Sequence, residues 1–87
     1  MHKHKDQVIK QAIDEVCKDY NITYEQIISP TRLRIISLPR QVAMYKLHQL
    51  GYGLVEIGKI FNKDHTTVIH AVRKIEQQKD RYPDIIL

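Results

Sequence analysis

Asp64, His65, Thr66 and Thr67 stand in one run, and the apolar Val68, Ile69, Ala71 and Val72 follow with His70 among them. A carboxylate, an imidazole and two short hydroxyl side chains carry much hydrogen-bonding capacity on little bulk. At the first turn of a helix, that mixture suits the major groove of a duplex. A threonine methyl can touch a thymine methyl, its hydroxyl can reach a phosphate, and an aspartate can accept from a cytosine amino group. A histidine can serve either base or phosphate. Asp64 has a second reading as a simple helix N-cap, and the two roles are compatible. His70, about a turn further in, reads better as a brace for the domain than as a contact.

Two more basic groups stand upstream. Arg32 and Arg34 flank Leu33 in a stretch without clear period, read as an exposed basic loop over residues 30–38. An arginine on such a loop suits a narrow minor groove, where negative potential concentrates. The alternative is a solvated charge cluster. Arg40 and Gln41 follow Pro39, a residue suited to the first turn of a helix. Unbonded N–H groups there, with a guanidinium and an amide, would suit a phosphate. A plain exposed helix start is the alternative. Lys46, Lys59, Lys63, Arg73 and Lys74 lie in the same half of the chain.

These groups need helices to hold them. Ile9, Ile13, Val16 and Tyr20 repeat at helical spacing and predict an amphipathic helix from about Lys5 to Tyr20, stopped by Asn21. Thr23 and Gln26 form a capping-box pattern that starts a short helix, broken by Ser29-Pro30. A third helix is expected from Pro39, with Ala43, Leu47 and Leu50 inward and Val42, Met44 and Tyr45 widening that face. Gly51-Tyr52-Gly53 ends it. Leu54, Ile57 and Phe61 predict a helix of about two turns, and Asn62-Lys63-Asp64 a tight turn. The last helix is expected from His65 to about Lys79, with Val68, Val72 and Ile75 inward and Thr66, Thr67, His70, Arg73 and Lys74 outward. Two short helices joined by a tight turn, the second polar at its start and apolar on one face, make a helix-turn-helix over about 54–79.

Composition agrees. The 87 residues make one domain, 1–87, all-α with about five helices. A chain this short buries about 60% of its unfolded surface, enough for a small helical core. Hydrophobic residues are 43% and charged residues 28%, which argues against disorder. The net charge is +4, with the cations gathered around the helix pair. One cysteine, Cys17, forbids an internal disulfide and suits a reducing, cytoplasmic setting. No apolar run approaches the ~18 residues of a membrane span. His2 and His4 lack a thiol or carboxylate partner nearby, so no metal site is expected. No cofactor, small-molecule substrate or catalytic residue is expected either, because no phosphate loop and no nucleophile elbow is present.

From about Ile13 to Glu76 the chain resembles the C-terminal DNA-binding domain, domain IV, of the bacterial replication initiator DnaA. Residues 64–76 carry the resemblance, with residues 39–45 and with Glu56-Ile57-Gly58 before Phe61. The resemblance implies binding of a short duplex element, the DnaA box, by a helix-turn-helix. By position it implies Asp64, His65 and Thr66 in the major groove, with Thr67 near phosphates. It implies Arg32 in the minor groove, Arg40, Gln41 and Lys46 on phosphates, and Leu54 against the backbone. Two departures stand out. Val55 occupies the place of a usual proline. The turn Phe61-Asn62-Lys63-Asp64 is one residue shorter than the typical Phe-Gly-Gly-Arg-Asp, and Lys63 takes the place of its arginine.

The expected function is therefore sequence-specific binding of double-stranded DNA, linked to control of replication initiation or transcription. The expected setting is the cytoplasm, on the nucleoid, in a bacterial or phage-encoded protein, with replication proteins as possible partners. The competing expectation is an adaptor that docks a partner protein through the same helix, with Ile85, Ile86 and Leu87 as a small apolar tail.

Overall fold

The computed structural model describes residues 2–79, with side chains from Asp6 onward. Five α-helices follow one another: α1 His2–Tyr20, α2 Tyr24–Ile27, α3 Arg34–Gln49, α4 Leu54–Phe61 and α5 His65–Gln78. No strand occurs among the described residues. Of the stretches singled out in the sequence, the 85–87 tail and the side chains of His2 and His4 lie outside what is described. None of the helices is long and apolar enough to cross a membrane.

Local signals account for most boundaries. Asn21 stops α1 in the left-handed region at φ 56°, a conformation asparagine tolerates better than most residues. Thr23 and Gln26 close a complete capping box: the Gln26 N–H donates to Thr23 Oγ1 at 3.1 Å, and the Thr23 N–H donates to Gln26 Oε1 at 2.8 Å. Helix α1 begins at His2, earlier than its apolar period required.

Helix α3 corrects the expectation most. It begins at Arg34, so half of the expected basic loop is helical and Pro39 lies inside the helix. The Leu33 carbonyl accepts from both Ile36 N–H at 2.9 Å and Ser37 N–H at 2.7 Å, which starts the helix five residues before the proline. Pro39 then forfeits only the bond to the carbonyl four residues back. The gain is burial: Ile36, Pro39, Ala43 and Leu47 form one inward stripe. Leu50, expected in that stripe, is the C-cap and is 54% exposed.

Helix α3 is the central element and packs against the other four. Ile13 and Val16 of α1, Ile27 of α2, Val42, Met44 and Leu47 of α3, Ile57 and Phe61 of α4, and Val68 and Ile75 of α5 are essentially solvent-free. Burial of that size contributes about 1.5–3 kcal/mol per large side chain before entropy is charged against it. Tyr45 of α3 locks the far end of α5. Its hydroxyl donates to Glu76 Oε2 at 2.6 Å, and Lys79 Nζ donates to the same hydroxyl at 3.0 Å.

Candidate nucleic-acid interface

The turn between α4 and α5 sets how α5 is presented. Asn62 takes the left-handed conformation at φ 54°, and the Lys63 N–H returns to the Gly58 carbonyl at 2.8 Å. That is a Schellman-type closure, with asparagine where glycine is commonest. It delivers Asp64 to the N-cap position of α5, as the sequence led one to expect.

The Asp64 side chain does not cap. No side chain caps α5, and the first helical bond runs from the Val68 N–H to the Asp64 carbonyl. The Asp64 carboxylate lies instead 3.2 Å from His65 Nδ1, with both side chains more than half exposed. Asp64, His65, Thr66 and Thr67 are all exposed, while Val68, Ala71 and Ile75 are buried. The first turn of α5 thus offers a continuous polar edge whose opposite face is anchored in the core.

A cleft of about 400 Å³ runs beside that edge, between α3 and α5. Ser37, Gln41 and Met44 line it from α3, at i, i+4 and i+7. Thr67, His70 and Lys74 face them from α5, at i, i+3 and i+7. Arg32 closes it from the loop before α3, and Lys63 from the turn before α5. Five groups that are or can become cations border it, Arg32, Arg40, Lys63, His70 and Lys74, and no carboxylate does. The Gln41 Oε1 atom is buried there without a hydrogen-bond partner.

The expected site residues divide in three. Arg32, Gln41, Lys63 and Thr67 line the cleft, and Asp64, His65 and Thr66 extend it along the start of α5. Arg34 is exposed as the first residue of α3, and Leu54 is half-buried at the start of α4 against the core. Arg40, which also lines the cleft, and Lys46 differ from expectation in what they bind. Arg40 is only 5% exposed and sits inside α3, not in a first turn with unbonded N–H groups. Its Nε donates to the Ile27 carbonyl at 2.8 Å, Nη1 to the Thr31 carbonyl at 2.9 Å, and Nη2 to the Ser29 carbonyl. Burial pushes its guanidinium below the ordinary arginine value. Lys46 follows Gln41 by five positions, about 140° round the helix. It pairs with Glu15 of α1 at 2.8 Å.

His70, expected to face outward and to brace the domain, is a further residue on this face. It is exposed and lines the cleft, and with Thr66 and Thr67 it also lines a shallow neighbouring hollow. Its spacing from Thr67 was the available signal.

A family model described as the bacterial DnaA protein helix-turn-helix matches residues 9–75. The chain belongs to that family. Named relatives are chromosomal replication initiator proteins DnaA. That of Thermoanaerobacter sp. (strain X514) is 45% identical over 78 residues, 88% of this chain and 18% of the relative. That of Thermomicrobium roseum is 48% identical over 69 residues, covering 77% and 15%. That of Ruegeria sp. (strain TM1040) is 52% identical over 73 residues, covering 82% and 16%. The chain thus spans less than a fifth of the length of these DnaA proteins. Within the DnaA helix-turn-helix, α4 is the supporting helix and α5 the second helix of the motif. The matched segment takes in all of α3 and α4, and α5 as far as Ile75.

Proposed function

We propose that the chain binds double-stranded DNA sequence-specifically, with the first turn of α5 in the major groove. The observation that carries this reading is the pairing of an exposed Asp64-His65-Thr66-Thr67 edge with a carboxylate-free cleft bordered by Arg32, Arg40, Lys63, His70 and Lys74. Asp64, His65 and Thr66 read base edges; Thr67, Gln41 and the cleft cations meet phosphates; Arg32 enters the adjacent minor groove. Its family relatives are named replication initiators, so the element bound is a DnaA-box-like site, and the role is control of replication initiation on bacterial DNA in the cytoplasm. The chain acts as a binding module, not as an enzyme.

About five phosphate contacts give a slope of log affinity against log salt of roughly −4 to −5. The test is anisotropy titration of labelled duplexes, one selected from a random pool and one scrambled. Thr66→Ala weakens binding to the selected duplex by about 1–3 kcal/mol and narrows the gap between the two. Equal weakening on both duplexes would show that this helix does not read bases.

A further inference from the structure

We infer that Arg40 is a positioning residue: it fixes the loop that carries Arg32, and serves the duplex through Arg32 rather than as a cation of its own. The inference rests on the duplex-binding reading above and deepens it.

The carbonyls of Ile27, Ser29 and Thr31 fall at every second residue along the connection from α2 to α3. A single guanidinium takes all three. Only arginine has a planar fork of donors that can meet several acceptors at once; a lysine presents a compact point charge. Arg40 follows the α3 N-cap, Leu33, by seven positions, two helical turns on the same face. Long helical side chains lean toward the N-terminus, so this one reaches back to the chain that enters its own helix. Its three partners are carbonyl oxygens, none a carboxylate, and they hold the backbone up to the residue before Arg32. Arg32 itself is exposed and lines the cleft.

An arginine that enters a groove from an unfixed loop must be ordered on binding, backbone and side chain together. One held in place beforehand loses far less entropy. Arg40 borders the same cleft, but 5% exposed and committed to three carbonyls it adds little as a charge of its own. Its effect on DNA is therefore conditional on Arg32.

The experiment is a double-mutant cycle, read by anisotropy on the intact 87-residue chain with the pool-selected duplex. A second duplex carries inosine for guanine and 2,6-diaminopurine for adenine, which moves the minor-groove amino group and leaves the major groove readable. Arg32→Ala on the unaltered background weakens binding about tenfold, and on the Arg40→Lys background less than about twofold. Arg40→Lys keeps the charge, yet loses about as much affinity as Arg32→Ala and loses discrimination between the two duplexes. Thermal unfolding by circular dichroism shows whether Arg40→Lys folds. If it does not, Pro30→Gly loosens the same loop at an exposed position and takes its place in the cycle.

An Arg32→Ala loss of equal size on every background overturns the inference, as does rescue of full affinity by lysine at position 40. So does an Arg32→Ala variant that binds like the parent, which takes Arg32 out of the minor groove but leaves duplex binding through the start of α5 intact. Failure of the unaltered chain to bind any duplex overturns both.

Discussion

The Lys63 carbonyl oxygen lies 2.5 Å from the point where a Cβ on Gly58 would stand. The turn of the helix-turn-helix is folded down onto α4 at a place only glycine allows. Real Cβ atoms do not approach backbone oxygen so closely, and Lys63 is held there by its own N–H bond to the Gly58 carbonyl.

Gly58→Ala therefore sets two effects against each other. Alanine gains about 1 kcal/mol of helix propensity over glycine. Overpacking against backbone costs about 1–3 kcal/mol, and the turn cannot move away without breaking its closure. The clash wins, so the melting temperature falls. DNA affinity falls as well, because α5 is displaced from α4. Circular dichroism and anisotropy check both; an unchanged or raised melting temperature would show that the turn relaxes freely.

Lys46 and Lys74 separate a paired lysine from one on the cleft. Lys46→Ala removes an exposed ion pair with Glu15, a change of about 0–1 kcal/mol in stability. Duplex affinity stays within about twofold, since less than one phosphate contact is lost. Lys74→Ala weakens selected and scrambled duplexes alike and lowers the magnitude of the salt slope by about 1. The salt series is decisive: a change of slope with Lys46→Ala would mean that this lysine leaves Glu15 for a phosphate.

The Tyr45–Glu76–Lys79 cluster gives the fold a pH signature at both ends. Hydrogen bonds from Tyr45 and Lys79 hold the Glu76 carboxyl below its usual value of 4.5. Its stabilisation is complete above that value and is lost as pH falls through the lower folded one. The Tyr45 hydroxyl and Glu76 raise the Lys79 ammonium above 10.5. That contribution is complete below 10.5 and is lost as pH rises through the higher folded value. Tyr45→Phe is expected to lower the melting temperature at neutral pH and to flatten the profile in acid and in alkali. A variant profile that parallels the parent at both ends would exclude the cluster as its source.

Cys17 is buried, and its thiol is pushed up first by burial and then by Asp14 and Glu25. Alkylation by iodoacetamide at mild alkaline pH is expected to run at least about tenfold slower on the folded chain than in urea, because the thiolate is the reactive form. Equal rates would place the thiol in contact with solvent.

Much of this protein is local and was legible as such. The capping box at Thr23, the stop at Asn21, the α4 stripe of Leu54, Ile57 and Phe61, and the N-cap position of Asp64 each depend on neighbours a few residues away. The polar first turn of α5 follows from the same arithmetic, since Val68 and Ile75 must face inward and Thr66 and Thr67 therefore face out. The family motif added the order of these parts.

What sequence left open depended on contacts across the fold. By sequence alone Pro39 reads as a helix start, because proline has no N–H to donate. Burial of Ile36 beside it was what carried α3 five residues further back. Arg40 and Lys46 are both cations on α3, and nothing in their identity tells a clasp on the 27–31 backbone from a partner for Glu15. Those assignments hang on carbonyls and carboxylates 9 to 31 residues away. Periodicity assigns a side chain to a face, but only packing determines what that face meets.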